Sequence, residues 1–223
     1  LEKLNISRAW LPDIHLPGTV LGTLLPDMAH ALNVRAGIPV TIGTNDMASA
    51  QAGAGNFEPG CIMDTAGSSD MVSILTDKPV VHPKYYLRNS AIPGLWQIYA
   101  TTAGGFALDW FYEQFCRDMD PDTFYGDYLA RVIFEWPEEK EIRFDPYLTG
   151  DRQSLEKRAG AWHGLTLSAT RDEMLAAMLR SMNRVLYDTI ELAGGIQTLK
   201  PVIKLAGGMS DEKFIALKMR EIP

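Results

Sequence analysis

Cysteine is scarce: only Cys61 and Cys116 occur in 223 residues, far apart and outside any Cys-x-x-Cys pair. That argues against a disulfide framework and a structural zinc, and for a reducing, cytoplasmic setting. Long apolar runs are missing too. None approaches the roughly 18 residues of a membrane helix. Positive charge is outnumbered, with 21 Lys and Arg against 28 Asp and Glu and a net charge of −7. Such a field disfavours nucleic acid and anionic membrane surfaces as partners. The four histidines, His15, His30, His82 and His163, have no partner at metal-ligand spacing and read as surface or packing residues. There is no Gly-x-x-x-x-Gly-Lys-Ser/Thr loop. Gly53-Ala54-Gly55 lacks a third glycine and closes a helix where a dinucleotide fingerprint opens one, which disfavours a dehydrogenase. The chain starts at Leu1, so the lack of a leader carries no weight.

What is present is an ordinary globular composition, 46% hydrophobic and 22% charged, able to bury a sizeable core. Residues 1 to about 37 read as a looped approach with one short helix, Asp27 to Asn33. Ile38 to Thr44 reads as a buried strand and Met47 to Ala54 as a short helix, closed by Gly53, Gly55 and Pro59-Gly60. Composition shifts there, so a domain boundary is expected near residue 56, giving segments 1–56 and 57–223. Strand-like runs follow at Cys61–Thr65, Met71–Leu75 and Trp96–Thr101, the first two joined as a hairpin. Helices are expected from Phe106 to Met119 and from Thr123 to Trp136, and Phe144–Arg158 reads as a polar loop. Glu138-Glu139-Lys140-Glu141 reads as a solvated surface segment. The clearest helix runs from Arg171 to about Ala193, where Met174, Leu175, Met178, Leu179, Met182, Leu186 and Ile190 keep helical spacing; its methionines read as core. A strand at Val202–Ala206, a Gly207-Gly208 turn and a helix at Asp211–Glu221 complete an α/β pattern.

Chemistry concentrates at strand ends. Ile38, Val40 and Ile42 lead into Gly43-Thr44-Asn45-Asp46, which puts an aspartate at a helix start. A carboxylate there can take the proton of an alcohol attacking a γ-phosphorus. On local pattern alone, a plain helix cap is the simpler reading. Gly67-Ser68-Ser69 offers hydroxyl and amide donors to phosphate oxygens, with a hairpin turn needing positive φ as the plainer alternative. Gly104-Gly105 and Gly207-Gly208 repeat the theme. Three glycine-bearing corners after three strands, with an acid before them, form the rarer pattern.

These residues resemble the FGGY carbohydrate kinases. Gly160-Ala161-Trp162-His163-Gly164-Leu165, then Glu173-Met174 and Ala177-Met178-Leu179, follow that family's C-terminal signature; Arg180 departs from it, standing where an acidic residue or glutamine is usual. The resemblance runs from Pro17-Gly18-Thr19-Val20 to Ala206-Gly207-Gly208. It implies an actin/hexokinase-like (ribonuclease H-like) ATPase fold, truncated, with residues 1–56 as the tail of a sugar-binding domain and 57–223 as an incomplete ATP-side domain. It further implies Asp46 as catalytic base and sugar contact, with Asn45 and Met47 beside the sugar. Gly67, Ser68 and Ser69 would meet ATP phosphates, Ser68 replacing the usual threonine. Gly105 and Asp109 would lie near phosphates and ribose, Gly208 and Glu212 by the purine. Magnesium-ATP and a small sugar would be the partners, a pentulose such as xylulose favoured, and self-association into a homo-oligomer is left open. The family's Asp-x-Gly-Thr loop does not occur. The expectation is therefore a fragment with little activity alone; the rival is a non-catalytic nucleotide-binding or interaction module on an actin-like fold.

Overall fold

The computed structural model describes residues 1–137, 141–152 and 156–220. It divides into two units, Leu1–Ala50 and Gln51–Pro223, against the sequence boundary near residue 56. In the first unit β1 (Val20–Thr23) pairs antiparallel with β2 (Pro39–Thr41), around α1 (Pro26–Ala31). Pro26 suits the first helical turn, where an amide donor is not needed. Asn33, at φ 53°, turns the chain away after the helix. The sequence reading of Ile38–Thr44 as a buried strand is corrected here. The strand is Pro39–Thr41, and Val20 and Val40 stay 59% and 44% exposed. A two-stranded ladder has no third layer of its own to cover its side chains.

Helix α2 (Asp46–Gly53) ends at the start of the second unit, where Gln51 is buried. Its side-chain amide donates to the Ser73 carbonyl and hydroxyl oxygens, both at 2.9 Å, and Asn56 Nδ2 donates to Gln51 Oε1 at 2.6 Å. Polar groups buried this way need such pairing.

The second unit is built on a five-stranded sheet, in the order β5-β6-β4-β3-β9. It comprises β3 (Ile62–Ala66), β4 (Asp70–Thr76), β5 (Tyr86–Asn89), β6 (Trp96–Thr102) and β9 (Ile203–Ala206). β3 and β9 run parallel, and the other neighbours antiparallel. The expected hairpin is present, with Ala66 opposite Asp70. β5 is an edge strand the sequence reading passed over; it is held to β6 in part by a Tyr86–Tyr99 stack at 5.1 Å.

The longest helix, α6 (Arg171–Gly194), begins with a capping box. Glu173 N–H donates to Thr170 Oγ1, and Glu173 Oε2 accepts from Thr170 N–H at 2.8 Å. Its inner stripe puts Leu186, Ile190 and Ala193 against Ile62, Val72, Ile74 and Ile98 of the sheet, while Leu175, Met178 and Leu179 join Phe111, Phe124 and Leu129. Each such side chain contributes about 1.5–3 kcal/mol on burial. The expected helix at Phe106–Met119 is α3 (Gly105–Phe115). The one expected at Thr123–Trp136 is α4 (Pro121–Thr123), a π-helical turn (Phe124–Tyr128) and α5 (Leu129–Phe134).

The polar loop expected at Phe144–Arg158 opens instead as β7 (Arg143–Asp145), paired antiparallel with β8 (Ala161–His163). Phe144 and Trp162 meet there at 4.5 Å, which buries Phe144. The last helix is α7 (Glu212–Met219). Residues 138–140, 153–155 and 221, touched by three of the sequence readings, lie outside the described residues. Among the described residues no helix is long and apolar enough to cross a membrane.

Candidate active site

The three glycine-bearing corners meet in the second unit. Gly105 N–H donates to the Gly67 carbonyl and Phe106 N–H to the Ser68 carbonyl, both at 2.9 Å. Met209 N–H donates to the Ala66 carbonyl, also at 2.9 Å. The strand exits of β3, β6 and β9 are thus stitched backbone to backbone. Side chains at two positions would break the stitching. A Cβ on Gly104 (φ 53°) would stand 2.4 Å from Asp70 N, and one on Gly207 (φ 113°) 2.3 Å from the Ala66 oxygen. Glycine there meets both the close approach and the left-handed backbone.

The neighbours are under less demand. Gly67 is not among the positive-φ residues, so the hairpin turn does not need glycine for that reason. A Cβ on Gly208 would meet nothing within 4 Å. Ser68 is exposed and Ser69 half-buried, with no side-chain hydrogen bond among the described residues. The Gly105 amide, by contrast, is committed to the Gly67 carbonyl.

Asp109 lies exposed one turn into α3 and accepts a hydrogen bond from Tyr125 Oη at 2.5 Å. Burial and that carboxylate push the Tyr125 phenol well up, so it stays a donor. The π-helical turn presents Tyr125 at this spot. Glu212 is exposed at the first position of α7, which is capped by Asp211 accepting from Phe214 N–H at 3.4 Å.

In the first unit, Asn45 takes the capping role that the sequence offered to Asp46. Its Oδ1 accepts from Ala48 N–H at 3.0 Å. Asp46 is exposed at the first helical position, and its Oδ1 accepts from its neighbour Met47 N–H at 2.8 Å. Met47 itself is buried.

Sequence reasoning missed one constellation. Lys218 Nζ on α7 sits 2.7 Å from Asp64 Oδ2 and 2.8 Å from Asp70 Oδ2, and all three residues are buried. Burial alone lowers the Lys218 pKa, but Asp70 and Asp64 outweigh it and hold the ammonium above its usual value. Burial and the charge of Asp70 push the Asp64 carboxyl well up against the pull of Lys218. The available signal was a charged residue inside an apolar strand, Ile62-Met63-Asp64. Arg180, the departure from the family signature, lines a groove with Arg143, Arg184 and Asp188 that shares no residue with the three corners.

No model of a protein family matches the chain. It is similar to the xylulose kinase of Escherichia coli (strain K12), 23% identical over 220 residues that cover 96% of this chain and 44% of that one. It is also similar to the gluconokinase of Bacillus subtilis (strain 168), 28% identical over 178 residues, 75% of this chain and 34% of that one. Among solved structures, a xylulose kinase from Rhodospirillum rubrum superposes with a TM-score of 0.80 at 21% identity, covering 96% of this chain and 43% of the other. These similarities run to named sugar kinases, as the resemblance in the sequence implies. The fold of the chain is the actin/hexokinase-like one. The chain spans less than half the length of these curated relatives.

Proposed function

We propose that this chain supplies the ATP side of a kinase that phosphorylates a hydroxyl of a sugar or polyol, a pentulose such as xylulose being the favoured substrate. The convergence of three glycine-bearing corners in one place supports this reading most directly, because phosphates are bound where strands end in small residues and polar hydrogens face outward. Ser68 and Ser69 would donate to the β- and γ-phosphates, Asp109 would meet the ribose, and Gly208 and Glu212 would border the purine. Asp46, with Asn45 and Met47 beside it, would hold the sugar. Its exposed carboxylate would accept the hydroxyl proton as that oxygen attacks the γ-phosphorus.

Magnesium fits as a passenger of the nucleotide. Among the described residues no three His, Cys, Asp or Glu side chains gather to hold a metal ion. The phosphates would therefore supply most of its ligands, and the ion would neutralise charge on them during transfer. Such kinases close two lobes over their substrates to exclude water, and this chain spans less than half of its curated relatives. We therefore expect the 223 residues alone to turn over slowly or not at all.

The test is calorimetric titration of the chain with ADP and magnesium, paired with an ADP-release screen of the full-length protein across pentuloses, gluconate and glycerol. Saturable nucleotide binding, lost or weakened about tenfold in Ser68→Ala, is the expected result. A full-length protein that turns over none of these sugars would overturn the reading.

A further inference from the structure

The buried charges behind the Gly67–Ser69 turn are not balanced. Asp64 and Asp70 flank that turn on β3 and β4, and the register places them on one sheet face, Asp64 opposite Val72 and Asp70 opposite Ala66. Elsewhere that face carries Ile62, Val72, Ile74 and Ile98. Asp64 and Asp70 are each 3% exposed and Lys218 is 8%. Two carboxylates around one ammonium would leave an uncompensated negative charge in an apolar layer, which is costly to bury.

The hydrogen bonding is unbalanced in the same place. Asp64 Oδ1, Asp70 Oδ1 and Oγ1 of Thr102, directly across from Asp70, are all buried without a hydrogen-bond partner among the described residues. Adding one proton to a carboxylate cancels the surplus charge. It also supplies a further donor to a cluster in which two carboxylate oxygens lack one.

We propose that Asp64, Asp70 and Lys218 form a positioning clamp held by one proton, with Asp64 as the carboxylic acid, Asp70 as the carboxylate and Lys218 as the ammonium, which locks the Gly67–Ser69 turn to helix α7. Because α7 follows the Gly207-Gly208 corner, the clamp fixes two of the three corners to each other from beneath. Its relevance to catalysis rests on the nucleotide reading above; its existence does not. Two of the three groups sit on a continuous hairpin, and the third arrives on a helix 148 residues further along the chain from Asp70.

The charged groups acting on Asp64 are Asp70 from β4 and Lys218 from α7. Lys204, on the neighbouring β9, is occupied by the Ala54 carbonyl. Burial and Asp70 raise the Asp64 carboxyl in the folded chain, so the proton's stabilisation is complete at pH below the ordinary carboxylate value. It is lost as pH rises through the raised one, when the proton leaves to solvent and two anions compete for one cation.

Thermal midpoints and hydrogen exchange of the 223-residue chain, followed from acid to alkaline pH, test this. The wild type should lose protection over residues 66–70 and 212–219 as pH rises. Asp64→Asn keeps the shape and a donor without titrating, so it should fold with an unchanged or higher midpoint and a flattened pH profile. Asp70→Asn removes the paired carboxylate and should lower the midpoint by several degrees. The proposal is overturned if Asp64→Asn is as damaging as Asp70→Asn, if its pH profile matches the wild type, or if sodium or potassium ions set the midpoint instead of pH. None of these readouts involves nucleotide, so a chain that fails to bind ADP sinks the proposed function and leaves the clamp intact.

Discussion

The carbonyl oxygen of Ala66 accepts the Met209 amide at 2.9 Å and lies 2.3 Å from where a Cβ of Gly207 would stand. One oxygen therefore both anchors the β9 corner and forbids a side chain beside it. Gly207→Ala combines a backbone clash with a left-handed φ and should cost on the order of 2–4 kcal/mol. Gly208→Ala, which meets nothing, should stay within about 0.5 kcal/mol. Urea unfolding of the two variants checks the contrast. If the purine borders this corner, Gly208→Ala will still weaken ADP binding.

Asn45 and Asp46 divide two jobs that look alike in sequence. Asn45→Ala removes the hydrogen bond to Ala48 N–H and should cost about 1 kcal/mol of stability. Asp46→Asn keeps the helix start and should leave stability within about 0.5 kcal/mol. In the full-length protein, however, it should lower kcat by roughly 10²–10⁴-fold if the carboxylate is the general base. Steady-state kinetics beside thermal melts separates the two; unchanged turnover in Asp46→Asn would remove the residue from the chemistry.

Helix α6 was legible because apolar residues keep helical spacing along nearly all of its 24 residues, which leaves little room for another structure. The β3–β4 hairpin was legible because two apolar runs are separated by a single small-residue turn. Burial was less so. Ile38, Val40 and Ile42 alternate like a covered strand, but alternation does not say what covers them, and Val40 is 44% exposed. β7 and β8 are three residues each, and the tilted Phe144–Trp162 contact that joins them depends on residues brought together across a long connection. The Asp64–Lys218 contact joins elements from opposite ends of the second unit, and no local window contains both.

The buried amide network at the end of α2 should be less tolerant than its polar composition suggests. Gln51 bonds Ser73 through two hydrogen bonds and accepts from Asn56, which also reaches the Ile62 carbonyl at 3.3 Å. Gln51→Leu would fill the space but take the shorter acceptor from the Asn56 amide and the donor from the Ser73 hydroxyl. A loss of about 2–4 kcal/mol is expected. Asn56→Ala in the same background should then cost less than it does alone, because its main acceptor is already gone. A double-mutant cycle by denaturant unfolding measures that coupling, and strict additivity would show that the network does not act as a unit.

Acid should weaken the contact between α6 and the segment that leads into α5. Asp172 accepts from Tyr128 Oη at 2.7 Å and pairs with Arg131 at 2.9 Å. Burial alone raises its carboxyl, but the bonds from Arg131 and Tyr128 outweigh burial and hold it below its usual value near 3.8. A depressed carboxylate stabilises the fold in full above its unfolded value and loses that contribution as pH falls through the folded one. The wild type should therefore lose stability as pH drops below about 4, with part of that slope belonging to Asp172. Asp172→Asn should be less stable at neutral pH, and its melting temperature should fall less steeply on acidification. This direction is opposite to that expected for Asp64, so pH-dependent melting of the two asparagine variants side by side tells the two carboxyls apart. If both variants flattened the same limb of the profile, one of the two protonation assignments would be wrong.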